Sequence, residues 1–150
     1  MEVKFAYEPK ELIKIARGMG RDLNISFKSA VEISKRLNGM MVNDAIKLLD
    51  GVVSLEQVIP FRKYKKGVGH RKGLRGYNIG RYPKKAAGEI IKVLNNVVSN
   101  ANYKGLDSDK LKIINIQALK GISRLRRKPK GRYRTMRRQF VHVQITAKET

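Results

Sequence analysis

Residues 83–101 read PKKAAGEIIKVLNNVVSNA, the clearest periodic signal in the chain. Ala86, Ala87, Ile90, Ile91, Leu94, Val97, Val98 and Ala101 recur at the spacing that puts them on one face of a helix. Pro83 stands at the first turn, where a helix tolerates proline, and Gly105 marks the stop. This helix is the expected centre of the core, packed against two shorter helices upstream. The first carries Ala30, Ile33 and Leu37 as its stripe; Ser26 or Ser29 caps it, Ser29 and Glu32 have capping-box spacing, and Asn38-Gly39 ends it. The second carries Ala45, Leu48, Leu49 and Val52, preceded by Asn43-Asp44 and followed by Pro60. Further upstream, Glu8-Pro9 opens a short helical pattern (Leu12, Ile13, Ala16) that Gly18 and Gly20 close. Residues 21–25 then alternate as a short half-buried strand, with Leu23 and Ile25 on one side.

Downstream of the long helix the period changes. Ile114, Ile116 and Ala118 share one strand face while Leu111 and Ile113 are out of phase with them, which a bulge reconciles. Val141, Val143, Ile145 and Ala147 alternate with His142, Gln144 and Thr146. Between the two runs Pro129-Lys130-Gly131 supplies a turn, so strand, basic tip and strand read as one β-hairpin. At ~3.3 Å per residue, the arm from Ile113 to Lys128 reaches roughly 50 Å. Arg124–Arg134 holds seven Arg or Lys and a single aliphatic side chain, Leu125. Ordering its backbone costs roughly 1–2 kcal/mol per residue, so the outer arm is expected to order only against a partner.

Thirty-four Lys and Arg against twelve Asp and Glu leave a formal net charge of +22 on 150 residues. The excess is local: residues 1–59 carry +1, 60–82 carry +8 without one acid, 83–110 carry +2, and 111–150 carry +11. A near-neutral body with two basic extensions fits a protein that sits against a polyanion. The Gly-rich loop at 60–82 interleaves Arg62, Lys63, Lys65, Lys66, His70, Arg71, Lys72, Arg75 and Arg81 with Phe61, Tyr64, Tyr77 and Tyr82. Cations neutralise phosphates, and aromatics stack on unpaired bases. Deleting this loop is expected to leave the helical core folded.

The same inventory speaks against an enzyme. No cysteine is present, which excludes disulfides and thiolate sites, and the two histidines, His70 and His142, stand away from clustered carboxylates. Gly67-Val68-Gly69 begins like a dinucleotide fingerprint, but Lys72 replaces the third glycine and no apolar strand precedes it. Asp107 and Asp109 read as a cap for the turn after the long helix rather than as cation ligands. No catalytic residue, metal or other cofactor is expected. No apolar run approaches a membrane span, no signal peptide opens the chain, and a soluble intracellular protein is expected.

The chain resembles the universal large-subunit ribosomal protein family twenty-two, in its archaeal and eukaryotic form (eukaryotic family seventeen). The carriers are Ala16-Arg17-Gly18 with Ser26-Phe27-Lys28, Ile59-Pro60-Phe61-Arg62-Lys63-Tyr64 with Gly67-Val68-Gly69, and Arg81-Tyr82-Pro83-Lys84-Lys85-Ala86-Ala87. Leu94-Asn95-Asn96, Asn100-Ala101, Gly105-Leu106-Asp107 and the basic tip before a Val-His-Val strand complete the pattern over nearly the whole length. The resemblance implies a single α+β domain: three main helices on a small antiparallel sheet, with a long basic β-hairpin projecting from the body. Its parts would be a globular body at about 1–112 plus 140–150, the basic loop at 60–82 and the hairpin at about 113–146. It further implies a structural, cytoplasmic ribosomal protein that binds and organises several domains of large-subunit rRNA during assembly, beside neighbouring large-subunit ribosomal proteins. The body would sit near the polypeptide exit, and the hairpin would line the exit tunnel and meet the nascent polypeptide. Lys84, Lys85, Arg124, Arg126, Arg137 and Arg138 would join the loop in contacting RNA. Arg127, Lys128, Pro129, Lys130, Gly131, Arg132, Tyr133 and Arg134 would form the tunnel tip. An obligate homo-oligomer is not expected. A basic DNA-architectural protein, another non-ribosomal RNA-binding module and a scaffold for an acidic protein are the alternatives.

Overall fold

Gly18 and Gly20, which the sequence presents as the end of a helix, lie inside a strand. In the computed structural model, which describes residues 4–9, 14–128 and 134–150, strand β1 (Ile15–Leu23) pairs antiparallel with β5 (Thr135–Glu149), Ala16 opposite Ala147 and Gly18 opposite Ile145. The helix read over 8–17 is thereby corrected. Its last residues are strand, residues 4–9 are not helical, and Leu12 and Ile13 lie outside the described residues. Tertiary contact overrides the local pattern here. A Cβ on Gly18 would lie 2.5 Å from Val97 Cγ2 and one on Gly20 2.7 Å from Val93 Cγ2, so the two glycines form a groove that admits the long helix.

That helix, α3 (Lys84–Tyr103), packs on β1 and on α2 (Val42–Val53), and only slightly on α1 (Phe27–Leu37). The expectation that it faces both shorter helices is therefore half right. Its buried face is Ala86, Ala87, Ile90, Val93, Leu94, Val97 and Ala101. Val93 replaces Ile91 and Val98, which are half-buried, because the stripe is turned toward the glycine groove. Gly105, at φ 70°, ends the helix in the left-handed conformation that glycine accepts without strain.

The sheet order is β1-β5-β4, where β4 is Leu111–Arg127, and both pairings are antiparallel. The bulge anticipated between the two phases of β4 is present. Ile113 pairs with Ala147 and Asn115 with Thr146, leaving Ile114 as the extra residue, so Leu111, Ile113 and Ile116 are all buried. β5, the middle strand, is buried on both faces: Val141, Val143, Ile145 and Ala147 face the helices, while Gln144 and Thr146 are also covered. On that second face the Gln144 amide accepts from the Ala6 N–H (2.9 Å) and donates to the Lys4 carbonyl (3.1 Å), and the Arg17 guanidinium lies 5.3 Å from the Phe5 ring centroid. Residues 4–6 thus lie over the sheet opposite the helices. Among the described residues, no helix is long and apolar enough to cross a membrane.

Glu32 departs from its expected role. Helix α1 starts after Ser26, whose side chain makes no capping bond, so the Ser29–Glu32 capping box is not formed. Glu32 is instead 2% exposed. One carboxylate oxygen accepts from the N–H groups of Lys63 (2.8 Å) and Tyr64 (2.7 Å), and the other from Arg62 N–H (3.2 Å). Three successive backbone donors that would otherwise be orphaned thus share one buried anion. Beside this clamp, the short strands β2 (Ile59–Pro60) and β3 (Gly80–Arg81) pair, Phe61 N–H donates to the Ile79 carbonyl (3.0 Å), and the Tyr77 hydroxyl donates to the Phe61 carbonyl (2.7 Å). Ile59 and Phe61 are core residues. Removal of 60–82 would therefore not leave the core intact, as the sequence suggested: it would excise Phe61 and strand a buried carboxylate.

Two stability measurements test this packing. Leu94→Ala, at a fully buried position, is expected to lower the free energy of urea unfolding by roughly 2–5 kcal/mol; a loss within experimental noise would mean the helix does not face the core. Glu32→Ala is expected to lower it by roughly 2–4 kcal/mol and to speed amide exchange at 62–64, with Glu32→Gln intermediate because a neutral amide oxygen accepts more weakly. Unchanged exchange at those three amides would show that the carboxylate does not hold them.

Candidate nucleic-acid interface

With its base clamped, the loop displays its charge. Arg62, Lys63, Lys65, Lys66, His70, Arg71, Lys72, Arg75 and Arg81 are all exposed. Among the described residues, none of them has a carboxylate within ion-pairing distance; the ion pairs elsewhere include Lys14–Glu149, Lys92–Glu89 and Lys110–Asp107. Two guanidiniums are positioned by backbone carbonyls, Arg71 on its neighbour His70 (3.0 Å) and Arg81 on Gly67 (3.0 Å). Arg71 N–H donates to the Asn78 carbonyl (2.7 Å) and His70 bridges Ile79, so the loop is a folded ribbon rather than a linker.

The aromatics read as stacking groups are mostly structural. Phe61 is buried, Tyr77 is half-buried and fixed through its hydroxyl, and Tyr64 packs partly on the core. Lys28 and Lys63 lie 5.8 Å and 5.7 Å from the Tyr64 ring centroid, close enough for cation–π attraction. On the other side of the same first turn of α1, Lys120 of β4 lies 5.5 Å from the Phe27 ring. The start of the loop and the base of the hairpin therefore meet around the N-terminus of α1, although they are distant in sequence.

Lys84 and Lys85 occupy the first turn of α3, which contains no acid. Two cations there oppose the positive end of the helix dipole, so local helix stability does not account for them.

In the hairpin, pairing sorts the basic side chains. Paired residues of an antiparallel ladder share a face, and neighbours alternate. Arg124 lies opposite Arg138 and Arg126 opposite Met136, which puts Arg124, Arg126 and Arg138 on one face. Arg137, opposite Leu125, and Arg127, opposite Thr135, occupy the other. Arg124 stacks 5.4 Å from the Phe140 ring, and Arg138 Nε donates to the Asn24 amide oxygen (2.9 Å). The outer pairs bury nothing: Ile122, Leu125 and Met136 are 65%, 63% and 47% exposed. Gly121–Lys128 adds about 25 Å of shaft beyond the core. Lys128 N–H donates to the Arg134 carbonyl (3.0 Å), closing the last described pair. Pro129, Lys130, Gly131, Arg132 and Tyr133, with the turn assigned to them, lie outside the described residues.

The base of the arm is braced. A second bulge falls between Lys120 and Ser123, where Gln139 Nε2 donates to the Gly121 carbonyl (2.6 Å). His142 Nδ1 accepts from Asp22 N–H (3.0 Å) and stands against Gly121. It is a half-buried strut, not a base in an active site. Asp107 accepts from Asp109 N–H and pairs with Lys110 at 3.1 Å. The Lys110 ammonium, and then the Asp109 N–H, hold its carboxyl below the ordinary range. Asp107 is therefore a turn cap, and no group of three potential metal ligands occurs among the described residues.

Sequence reading missed one contribution. Lys35 and Arg36, in the last turn of α1, line a cleft together with Arg62 of the loop. The available signal was their position: three and four residues after Glu32, they share its helix face. The carboxylate that would pair with them is already engaged by the loop.

A family model described as ribosomal protein L22p/L17e matches residues 18–148. The large ribosomal subunit protein uL22 of Archaeoglobus fulgidus is 44% identical over 97% of this chain and 95% of its own length. Those of Methanocaldococcus jannaschii and Methanococcus aeolicus are 45% and 42% identical over 91% of this chain, covering 88% and 90% of their own lengths. Near-complete coverage in both directions and a fold with three main helices, an antiparallel sheet and a basic hairpin converge: this chain belongs to the ribosomal protein L22p/L17e family and is a structural, non-enzymatic protein of the large ribosomal subunit.

Proposed function

We propose that the chain binds and organises large-subunit rRNA during assembly in the cytoplasmic ribosome, its body near the polypeptide exit and its hairpin lining the exit tunnel beside the nascent polypeptide. Neighbouring large-subunit proteins would share the surface around the body. The observation that carries this reading is the hairpin shaft, where Arg124 and Arg138 are directly opposed and Arg126 shares their face. Like charges across a ladder destabilise a free hairpin, and a phosphate backbone against that face relieves the repulsion. The loop and the first turn of α3 add cations that, among the described residues, have no ion pair with a carboxylate.

In this reading Arg127, Lys128 and Arg134 approach the tunnel. Arg62, Lys63, Lys65, Lys66, His70, Arg71, Lys72, Arg75, Arg81, Lys84, Lys85, Arg124, Arg126, Arg137 and Arg138 contact RNA. The Tyr64 ring, packed on the core with lysines above it, supports the loop from below.

Replacing Lys65, Lys66, Arg71 and Lys72 together by glutamine is expected to weaken binding to large-subunit RNA. The slope of log affinity against log salt should fall by about 0.7–0.9 per lost phosphate contact. An unchanged affinity and slope would remove the loop from the interface. Backbone amides of 124–128 and 134–138 are expected to exchange within seconds in the free protein and to be protected in the assembled subunit, because the outer shaft buries no side chain. Strong protection in the free monomer would overturn the claim that RNA orders the arm.

A further inference from the structure

The cleft between the end of α1 and the loop has two compartments with a common wall. One, of about 480 Å³, is lined by Glu32, Lys35, Arg36, Asn38, Pro60 and Arg62. The other, of about 520 Å³, is lined by Val58, Leu74, Tyr77, Arg75 and Glu56, and it shares Arg36, Pro60 and Arg62 with the first. Both volumes fall in the range of small-ligand seats, roughly 300–1,000 Å³. Two guanidiniums thus stand on the shared wall, an ammonium lies to one side, and an aromatic and aliphatic surface lies to the other.

Among the described residues, none of these cations is neutralised by a carboxylate. Lys35, Arg36, Arg62 and Arg75 form no ion pair among the described residues. Glu32, their neighbour, is buried and spends both oxygens on the N–H groups of 62–64. The wall is also preorganised. The Glu32 bonds fix the backbone of Arg62, whose guanidinium lies 5.8 Å from the Tyr77 ring centroid, and Tyr77 is held by its hydroxyl. Among the described residues that line the second compartment, Glu56 is the only carboxylate; it disfavours a phosphate beside it and offers an acceptor to an exocyclic amino group.

We propose that this cleft seats a bent, unpaired segment of RNA, with a phosphodiester on the Arg36–Arg62 wall, one base in the Val58–Leu74–Tyr77 compartment and the adjoining phosphate toward Lys35. The shape supports an unpaired strand over a duplex. A base inside a duplex cannot enter a side compartment, whereas unpaired nucleotides splay their bases while the backbone stays on the cations. The inference deepens the rRNA-binding reading and rests on it.

The test uses the full-length chain and large-subunit RNA with four proteins: wild type, Arg36→Gln, the Lys35→Gln/Arg36→Gln double variant, and Lys47→Gln, an equal charge change at an exposed position of α2. Arg36→Gln is expected to lose roughly tenfold in affinity at ~0.1 M salt and to lower the salt slope by about 0.7, without changing the thermal unfolding midpoint. The double variant should lose more, and Lys47→Gln less than about twofold. Probing of RNA 2′-hydroxyls in the complex should show one or two unpaired nucleotides gaining reactivity with Arg36→Gln. Wild-type affinity and slope in both cleft variants would overturn the cleft while leaving the loop and hairpin reading intact. So would an equal loss in Lys47→Gln, or reactivity changes confined to paired nucleotides. Wild-type protein that binds without salt dependence would overturn the rRNA reading itself, and the cleft with it.

Discussion

A carboxylate removed from water inside a chain of net charge +22 holds the basic loop to the body. Burial of an isolated anion costs several kcal/mol, so Glu32 persists only because three backbone N–H groups meet it at hydrogen-bond distance. The arrangement serves two ends. It satisfies the donors at the point where the chain leaves β2 and turns over the end of α1. It also fixes the root of a segment whose own charge would otherwise drive it outward. An arginine or lysine side chain could not have done this, since it carries donors and no acceptor.

The body beneath is built for rigidity at the places where charge is presented. α3 approaches β1 at the distance two glycines allow, and β5 is covered on both sides, by the helices and by residues 4–6. The hairpin continues β4 and β5, the edge strand and the middle strand of that sheet, so its direction is inherited from core packing rather than from its own weak contacts. The braces at Gly121, His142 and Asn24 sit where the last buried row gives way to exposed pairs.

Much of this was legible in the sequence because periodicity is a local property. The stripes of α1, α2 and α3 were readable, and so were the phase slip repaired at Ile114 and the alternation of β5. The errors arose where a distant partner decided the outcome. Gly18 and Gly20 look like helix stops until Val93 and Val97 arrive above them. Glu32 looks like half of a capping box until residues 62–64, thirty positions on, present their N–H groups. Likewise, the loop's composition announced a polyanion, but not that Phe61 and Tyr77 serve as anchors. Lys35 and Arg36 went unnoticed because two cations in a last turn suit the helix dipole and raise no question on their own.

The place of β5 also governs the order of assembly. The strand in the middle of the sheet follows every other described element along the chain, and both neighbours hydrogen-bond to it rather than to each other. During synthesis the helices can form early, but β1 must wait for a partner more than a hundred residues downstream, and the glycine groove that receives α3 does not exist until then. Contacts so remote in sequence close slowly. A newly made chain therefore spends its first interval as helices with loose, strongly cationic ends, and the sheet closes only after residues 135–149 have been made.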